Sequence, residues 1–442
     1  MFQFKRLKDQ VQISGINRVS GQINIDSDKS ISHRAIIFSS LANGKGIIKN
    51  CLYSDDVKST IHCLRMLGIN IYRDGKKLIV NGKGKHGFKK PDRVLDAGNS
   101  GTTMRLLSGV LAGQRFNSSV KGDASLSRRP MARITVPLCS MGAVVNGRIE
   151  KGNVYPPLII KGKFPLKGIY WKSKIASAQV KSAILLAGLF CKGLVIYDEP
   201  FKSRDHTERM MIYFGIPVKI ENTRIILEES KKFNAKRITV PGDISSAAYY
   251  LALSILLENS SVAIKNVGLN PTRIGFLKVL EKMGAKIKYG VTKSVNNEPV
   301  GFIEAKSSNL KAINIGADII PEIVDEIPLI ALLATQAQGK TLIAGAGELR
   351  VKESDRLRSI TVELKKMGAN IQEMSDGLII NGPTKLIASN FESYDDHRIA
   401  MTLAIGSLVL PGNSTINGFS AVKISSPNFW QILQKLCASA DA

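Results

Sequence analysis

Apolar residues recur along this chain in helix-length runs that begin in the same way. Six of these runs follow a residue that can cap a helix N-terminus, because its side-chain oxygen accepts hydrogen bonds from the unpaired N–H groups of the first turn. The six capping positions, spaced at similar intervals, are Asp28, Asn99, Ser177, Asp243, Asp325 and Asp396. This pattern predicts that the chain repeats one structural unit six times.

A second signal repeats with the same period. Helical spacing of apolar residues ends at a glycine and an alternating stretch follows, as in LEKMGAKI and LKKMGANI. Such a glycine is typical of a helix C-terminus, and the alternation is typical of a strand. The glycines are Gly68, Gly142, Gly215, Gly284 and Gly368. Each unit therefore contains two helices and several strands, which predicts a mixed α/β fold rather than a solenoid.

The units divide into two halves near residue 240. The segment AKRITVPGDIS ends the third unit and begins the fourth at Pro241. The strand-like segment VQISGINRVSGQINI precedes the first unit and is available to pair with the second half. We therefore predict two similar lobes, one formed by 24–240 and the other by 1–23 together with 241–442, with a ligand cleft between them.

Charge limits the class of ligand. Of the 442 residues, 62 are Lys or Arg and 36 are Asp or Glu, giving a net charge of +26. This balance favours acidic ligands or nucleic acid, although a lysine-rich solvated surface explains it equally well. The chain lacks the aromatic and zinc-knuckle motifs of RNA-binding modules, so we expect no nucleic-acid partner.

Cysteines and apolar segments indicate the compartment. The five cysteines are widely spaced without a CxxC pair, which favours reduced thiols and argues against a disulfide framework or a zinc site. The N-terminus lacks the apolar core of a signal peptide, and the longest apolar runs are too short to cross a membrane. These features predict a cytoplasmic protein without a membrane partner or a metal.

Several of the predicted helix starts carry cations. Lys29, Arg34, Lys181 and Arg398 lie within one or two turns of such a start. A cation in the first turn opposes the helix dipole and costs about 0.3–1 kcal/mol when exposed. A bound anion, held by the helix N-terminus and the cation together, is the simplest compensation. The chain is therefore predicted to bind small polyanions.

Other segments fit anion binding, although each has a purely structural alternative. The glycine-rich turn 95–107 opens a helix but lacks the spacing of a P-loop or a dinucleotide-binding turn, so it could be a simple tight turn. Arg128 and Arg129 suit bidentate capture of carboxylate or phosphate, although a surface turn would look similar. Gln179 lies at another helix start, from which it can donate to an anion.

Two acidic segments are candidates for proton transfer. Asp325 or Glu326 precedes a very apolar helix, where burial raises the pKa of a carboxyl group and nearby cations lower it. In LRVKESDRLRSI, Lys352 and Arg356 share a helical face and repel each other unless an anion lies between them. Glu353 lies beside both. The sequence alone does not distinguish which of these carboxyl groups transfers which proton.

Taken together and in order, the motifs are distinctive. They read DKSISHR, AGNSGTTMRLL, DASLSRRPM, SAQVKSA, SRDHTER, PGDISSAA, VDEIPLIA, LRVKESDRL, DDHRIAM and VKISSPNF. Over residues 11–435 the chain resembles the enolpyruvylshikimate-phosphate synthase (EPSP synthase) family. UDP-N-acetylglucosamine enolpyruvyl transferase is a more distant alternative. It would be expected to carry a Cys in a mobile loop, and the corresponding stretch around GDASLSRRPM has none.

The resemblance implies a fold, a reaction and partners. The fold is two lobes of three βαβαββ units each, resembling an inside-out α/β barrel, that close over shikimate 3-phosphate and phosphoenolpyruvate. The enolpyruvyl group passes to the shikimate 5-hydroxyl through a tetrahedral intermediate, and phosphate is released. This step belongs to the shikimate pathway of aromatic amino acid biosynthesis. It uses no metal or organic cofactor, and we expect a monomer.

The resemblance also implies site residues, motif by motif. Shikimate 3-phosphate would be held by Ser30, Arg34, Ser177, Ala178, Gln179, Arg204, Asp325 and Lys352. The phosphate of phosphoenolpyruvate would be held by Lys29, Gly101, Arg129, Gln179 and Lys423, its carboxylate by Arg356 and Arg398, and Asn99 completes the substrate-binding set. Asp325 would take the proton of the 5-hydroxyl, and Glu353, or alternatively Lys29, would protonate the methylene carbon.

Departures from the family pattern are small. Ala178 stands where some members have Ser, so one hydroxyl contact is absent, and Glu348 lies near a place where some have Asn. Gly101 supports a further expectation. The family's herbicide inhibitor, glyphosate, occupies the phosphoenolpyruvate site, and a side chain at this glycine would crowd it. We therefore expect a glyphosate-sensitive enzyme.

Overall fold

A computed structural model of the chain describes residues 4–7 and 9–438. Within that part the chain forms two compact units. Unit 1 contains the chain up to Asp26, Pro241–Ser294 and the chain from Pro299 onward, and unit 2 contains Ser27–Val240 and Val295–Glu298. The sequence-based boundaries were placed after residues 23 and 240. Each unit is built around its own hydrophobic core.

Single strands and runs of three strands separate most helices along the described chain. The strands are β1 (Phe4–Leu7), β2 (Gln10–Ser14), β3 (Ser20–Ile23), β4 (Asn43–Lys49), β5 (Asn70–Asp74), β6 (Lys77–Lys83), β7 (Leu95–Asp96), β8 (Asn117–Lys121), β9 (Val144–Glu150), β10 (Asn153–Lys161), β11 (Leu166–Lys172), β12 (Cys191–Asp198), β13 (Val218–Glu221), β14 (Arg224–Leu227), β15 (Arg237–Thr239), β16 (Ser261–Gly268), β17 (Lys286–Val295), β18 (Glu298–Lys306), β19 (Asn314–Ile315), β20 (Gly339–Ile343), β21 (Asn370–Met374), β22 (Gly377–Gly382), β23 (Asn390–Glu392) and β24 (Asn413–Asn417). The helices are α1 (Lys29–Leu41), α2 (Asp55–Met66), α3 (Gly101–Ala112), α4 (Ala132–Ser140), α5 (Ala178–Gly188), α6 (His206–Tyr213), α7 (Ile244–Leu256), α8 (Gly275–Lys282), α9 (Ile320–Ile323), α10 (Ile327–Ala334), α11 (Arg356–Lys366), α12 (His397–Val409) and α13 (Phe429–Ala438). Short 3₁₀ segments lie at Leu126–Arg128, Gly347–Val351 and Phe419–Ile424. None of these described helices has the length and apolarity needed to span a lipid bilayer.

One sheet pattern recurs in both units. The strand orders are β7-β8-β10-β9, β11-β12-β14-β13 and β15-β4-β6-β5 in unit 2, and β19-β20-β22-β21, β23-β24-β2-β1 and β3-β16-β18-β17 in unit 1. In each of these sheets the first two strands are parallel, and the third is antiparallel to the second. A parallel pair needs a crossover connection, usually a helix. The predicted βαβαββ units, three in each half, are therefore confirmed.

Some strands lie far in sequence from the strands they pair with. β3 pairs with β16 in unit 1, where Ser20 lies opposite Ser261. β15 pairs with β4 in unit 2, where Ile238 lies opposite Ile48. β2 pairs with β24 near the end of the chain. The prediction that the first strand-like segment pairs with the second half is confirmed.

The predicted glycine C-caps are all present. Each of the five glycines follows the second helix of its repeat and has a φ angle between 76° and 100°. Side chains destabilise this left-handed region of the backbone, whereas glycine enters it without steric cost. This local rule explains why the sequence located these helix ends correctly.

Four of the six predicted N-caps are confirmed. The side chains of Asp28, Ser177, Asp243 and Asp396 each accept a hydrogen bond from a backbone N–H in the first turn of their helix. The prediction is wrong at Asn99, because Ser100 caps α3 instead and accepts from Thr103 N at 3.1 Å. It is also wrong at Asp325: α10 begins at Ile327, two residues later, and its N-cap residue makes no side-chain capping bond.

Helices α3 and α5 approach closely at Gly109. A Cβ atom added there would lie 2.1 Å from the carbonyl oxygen of Ala183, a backbone atom that cannot move alone. We predict that Gly109→Ala lowers the free energy of unfolding by about 1–3 kcal/mol, as overpacking of a core does. Urea denaturation tests this. Gly347→Ala is the matched control, because its nearest non-neighbouring atom would be 3.7 Å away. Equal stability of the two variants would contradict the prediction.

Candidate active site

The predicted site residues are divided between the two units. In unit 2 they lie at the N-terminal ends of α1, α3 and α5 and in the loops before α4 and α6: Lys29, Ser30, Arg34, Asn99, Gly101, Arg129, Ser177, Ala178, Gln179 and Arg204. In unit 1 they lie just before α10, at the start of α11, in α12 and in the last 3₁₀ segment: Asp325, Lys352, Glu353, Arg356, Arg398 and Lys423.

Arg34 connects α1 to two other helices of unit 2. Its Nε donates to Thr207 Oγ1 and its Nη2 to Ser182 Oγ, both at 2.7 Å, and its Nη1 donates to the Ser30 carbonyl at 3.0 Å. Burial lowers the pKa of Arg34 to about 10, and nearby Arg204 adds to the lowering. The guanidinium is therefore still charged at neutral pH, and it holds the N-terminal ends of α1, α5 and α6 together.

Two guanidinium groups lie over the start of α3. A Cβ atom at Gly101 would meet Arg105 Nη1 at 2.9 Å and Arg129 Nη1 at 3.4 Å. Arg129 Nη2 donates to Asn99 Oδ1 at 2.7 Å, which explains why Asn99 does not cap the helix. Two cations and the free N–H groups of a helix N-terminus make a strongly positive region.

Arg105 was missed by the sequence reasoning. Its Nη1 donates to Gln179 Oε1 at 2.5 Å, and Gln179 Nε2 donates to Thr102 Oγ1 at 2.9 Å. Gln179, at the start of α5, is therefore fixed against α3. The available signal was the four-residue spacing from Gly101 to Arg105, which puts both on one helical face, but this arginine lies within a run that reads as apolar.

The anion-binding interpretation is wrong for Lys181. Its Nζ contacts Glu199 at 2.8 Å and Glu208 at 2.7 Å, and all three side chains are buried. The compensating charges belong to the protein itself. Lys29 also has an internal partner, because its Nζ lies 2.9 Å from Asp56 Oδ2. The Lys29 side chain stays partly exposed at the first position of α1.

Arg356 is the centre of the unit 1 group. Its side chain is 1% exposed. Nε donates to Asp396 Oδ2 at 2.8 Å, Nη2 donates to Glu353 Oε2 at 2.6 Å, and Nη1 donates to Asp325 Oδ1 at 3.2 Å. Burial alone would lower the pKa of Arg356, but the three carboxylates, Asp396 most strongly, raise it above its ordinary value. The guanidinium is permanently charged.

Asp325 links Arg356 to Arg398. Its Oδ1 faces Arg356, and its Oδ2 lies 3.7 Å from Arg398 Nη2. Arg398 is 4% exposed, and its Nε has no hydrogen-bond partner among the described residues. A buried donor without a partner costs about 1–3 kcal/mol. An external acceptor next to Asp325 would remove this cost.

The remaining unit 1 residues differ in their surroundings. Lys352 is half-buried, and burial lowers its pKa below the ordinary value even though Asp325 and Glu348 oppose the shift. Lys423 is exposed on the last 3₁₀ segment, and no described contact joins it to Arg356 or Arg398. Within the described ranges, no group of three or more His, Cys, Asp or Glu side chains is placed to hold a metal ion.

Comparisons with known proteins agree along nearly the whole chain. The family model described as EPSP synthase (3-phosphoshikimate 1-carboxyvinyltransferase) matches residues 13–433. A 3-phosphoshikimate 1-carboxyvinyltransferase of Thermodesulfovibrio yellowstonii is 50% identical over 421 residues, covering 95% of this chain and 97% of the relative. One from Endomicrobium trichonymphae is 48% identical over 433 residues, covering 97% of this chain and 100% of the relative.

Solved structures give the same result for the fold. The structure of EPSP synthase from Acinetobacter baumannii matches with a TM-score of 0.85 at 40% identity, covering 97% of this chain and 98% of that one. The enolpyruvyl transferase NikO from Streptomyces tendae matches with a TM-score of 0.75 at 17% identity, covering 96% of each chain. At that identity the second match bears on the fold alone.

Proposed function

Because this chain belongs to the EPSP synthase family, we infer that it transfers the enolpyruvyl group of phosphoenolpyruvate to the 5-hydroxyl of shikimate 3-phosphate and releases phosphate. The reaction is a step of the shikimate pathway of aromatic amino acid biosynthesis. The observation that best supports a carboxylate-bearing substrate is Arg398, whose buried Nε lacks a partner among the described residues while Asp325 engages Nη2. The carboxylate of phosphoenolpyruvate supplies that partner.

We propose that shikimate 3-phosphate binds the residues held around Arg34 in unit 2. The proposed set is Ser30, Arg34, Ser177, Ala178, Gln179, Arg204, Asp325 and Lys352. The first-turn N–H groups of α5 suit a phosphate, and the charge of Arg34 and Arg204 adds to their attraction. Burial lowers the pKa of Lys352, whereas the carboxylates of Asp325 and Glu348 oppose this shift.

The phosphate of phosphoenolpyruvate is assigned to the positive region at the start of α3. Lys29, Asn99, Gly101, Arg129, Gln179 and Lys423 form this proposed subsite. Two features support the assignment: the guanidinium groups of Arg105 and Arg129 lie next to Gly101, and a glycine at the first helical position lets a ligand approach the backbone N–H groups closely. The carboxylate is assigned to Arg356 and Arg398.

Most hydrogen-bond donors of Arg356 are already used by carboxylates of the protein, and this bears on how substrate binding frees a catalytic carboxyl group. A guanidinium has five N–H donors, and Arg356 makes four contacts with Asp325, Glu353 and Asp396 in the described structure. At most one donor remains for a ligand while these contacts persist. The substrate carboxylate therefore competes with Glu353 and Asp325 for Arg356. Binding releases a carboxyl group beside the reacting atoms.

The proposed chemistry uses these two carboxyl groups in turn. Glu353, or alternatively Lys29, protonates the methylene carbon, which makes C2 electrophilic. Asp325 takes the 5-hydroxyl proton as the oxygen bonds to C2, giving a tetrahedral intermediate. The methyl group then returns a proton to the group that protonated it, and the C2–O bond to phosphate breaks. The proton held by Asp325 passes to the leaving phosphate, so both carboxyl groups regain their starting states.

A coupled phosphate-release assay tests this function. With phosphoenolpyruvate present, we expect turnover with shikimate 3-phosphate and none with UDP-N-acetylglucosamine, the acceptor of the alternative activity. The alternative is disfavoured because the stretch around GDASLSRRPM has no cysteine. Release of phosphate with the nucleotide sugar alone would overturn the proposal.

Glyphosate is expected to inhibit this enzyme at the phosphoenolpyruvate subsite. A methyl group at residue 101 must displace the Arg105 guanidinium, since the two would be 2.9 Å apart. Because the methyl group would also crowd the bound inhibitor, Gly101→Ala should raise the inhibition constant for glyphosate about 10- to 100-fold, as overpacking by about 1–3 kcal/mol would. Inhibition curves at fixed phosphoenolpyruvate concentration measure this. Insensitivity of the unmodified enzyme, or an unchanged constant in the variant, would contradict the prediction.

We further propose that the protein acts as a cytoplasmic monomer. The five cysteines are all free thiols, which fits a reducing compartment. Sedimentation velocity at the concentration of the assay tests the oligomeric state, and a mass near twice 48.1 kDa would refute a monomer.

A further inference from the structure

A chain of buried side-chain hydrogen bonds connects three helices of unit 2. His33 Nδ1 on α1 lies 2.7 Å from Thr60 Oγ1 on α2, and Thr60 Oγ1 lies 2.7 Å from Thr103 Oγ1 on α3. Thr103 Oγ1 donates to Ser100 Oγ, the N-cap of α3, at 2.8 Å. All four side chains are fully buried. This series of hydrogen bonds therefore ends at Ser100, one residue before Gly101.

The direction of these hydrogen bonds follows from the inventory of donors. The hydroxyl of Thr103 has two acceptors, Ser100 Oγ at 2.8 Å and the Asp56 carbonyl oxygen at 3.3 Å. Its single hydrogen is used by either of them, so Thr103 must accept from Thr60. The single hydroxyl hydrogen of Thr60 is then used, and Thr60 must accept from His33. Nδ1 of His33 therefore carries a hydrogen. Burial together with the nearby charges of Lys29 and Arg34 lowers its pKa well below the ordinary value, which agrees with a neutral ring.

The elements joined by this chain carry different parts of the proposed site. α1 carries Lys29, Ser30 and Arg34, whereas the start of α3 carries Gly101 and the adjacent arginines. α2 carries Asp56, the partner of Lys29. These hydrogen bonds reach Ser100, next to Gly101, whereas none of them involves the side chain of Lys29, Ser30 or Arg34. A change in them should move the start of α3 more than it moves the residues around Arg34.

We propose that His33 is a positioning residue that, through Thr60 and Thr103, fixes the start of α3 where it receives the phosphate of phosphoenolpyruvate. This inference rests on the proposed function. His33 makes no contact with the reacting atoms in the proposal. Its Nε2 has no hydrogen-bond partner among the described residues, so Nδ1 alone performs the polar role of this ring.

A pair of substitutions separates the hydrogen bond from the shape of the side chain. The amide nitrogen of Asn is bonded to Cγ, as Nδ1 of His is, so His33→Asn keeps a donor at the same distance along the side chain. His33→Leu has the same branching without the donor. Thr60→Val removes the middle hydroxyl with little change in shape. Ser108→Ala on α3 is the control, since within the described ranges its hydroxyl bonds only the Met104 carbonyl of its own helix.

The measurement is steady-state kinetics with each substrate varied in turn, together with thermal unfolding. We expect His33→Leu and Thr60→Val to raise KM for phosphoenolpyruvate about 10- to 100-fold, the cost of a small misplacement. KM for shikimate 3-phosphate should stay within about twofold, His33→Asn should restore most of the lost affinity, and Ser108→Ala should match the unmodified enzyme.

Other outcomes overturn the inference. An unchanged KM for phosphoenolpyruvate in His33→Leu would do so. Equal increases in KM for both substrates, accompanied by the same loss of thermal stability in His33→Leu and His33→Asn, would also do so. The proposed function fails separately, by absence of turnover in the unmodified enzyme. Should Thr60→Val fail to fold, the comparison of the two His33 variants decides alone.

Discussion

Glu353→Gln is expected to lower kcat about 10²- to 10⁴-fold, the usual contribution of a general acid or base. Gln keeps an oxygen that can accept from Arg356 Nη2, which Glu353 Oε2 contacts at 2.6 Å, but it cannot give a proton to the methylene carbon. Binding of both substrates should therefore survive while turnover is lost. Asp325→Asn is expected to behave in the same way, because the amide cannot take the 5-hydroxyl proton.

Equilibrium binding and single-turnover kinetics separate these effects. Glu373→Gln is a suitable control, because Glu373 is also a carboxylate paired with an arginine, at 2.8 Å from Arg350 Nη1, and it has no role in the proposed chemistry. The account predicts nearly unchanged kcat for this control. Turnover by Glu353→Gln at the rate of the control would assign the acid role to Lys29. Loss of substrate binding would show that Glu353 binds substrate and is not the general acid.

Arg356→Met is expected to be the most destabilising substitution at the site. It would leave the carboxylates of Asp325, Glu353 and Asp396 without their shared cation, and Asp396 is completely buried. Removing one partner of a buried ion pair costs about 3–5 kcal/mol. Activity should be lost as well, because the phosphoenolpyruvate carboxylate loses one of its two proposed arginines.

Urea denaturation at neutral and at mildly acidic pH tests whether the unpaired carboxylates cause this loss of stability. The unpaired carboxylates of the variant take up protons more readily, so the deficit in unfolding free energy should shrink as the pH falls. Arg358→Met is the control on the same helix, since its side chain is 71% exposed. A deficit in Arg356→Met that equals the control, or that does not change with pH, would contradict the electrostatic explanation.

The repeat and its helix ends were predictable because their causes are local. The positive φ angles at Gly68 and Gly368 satisfy a rule that involves only neighbouring residues. The prediction failed at Asn99 and Asp325, where a local role competes with a distant partner. Asn99 binds Arg129, and Asp325 binds Arg356, 31 residues away. Sequence patterns do not show such partners.

The cations of the site were predictable, but their internal partners were not. Arg34 was recognised from its place in a helix start, yet the hydroxyl that accepts the hydrogen bond from its Nε belongs to Thr207, 173 residues away. Lys181 was assigned to an anion for the same reason, whereas the folded chain supplies Glu199 and Glu208. Partners brought together by the packing of separate helices require the tertiary structure.

In the proposed reaction the protein joins two substrates by breaking the C2–O bond of phosphoenolpyruvate. Phosphoenolpyruvate carrying ¹⁸O in the bridging oxygen, with shikimate 3-phosphate as acceptor and mass spectrometry of both products, shows which bond breaks. We expect the label in inorganic phosphate and one enolpyruvyl group added to shikimate 3-phosphate. Label retained in pyruvate, with the acceptor unchanged, would refute the proposed reaction.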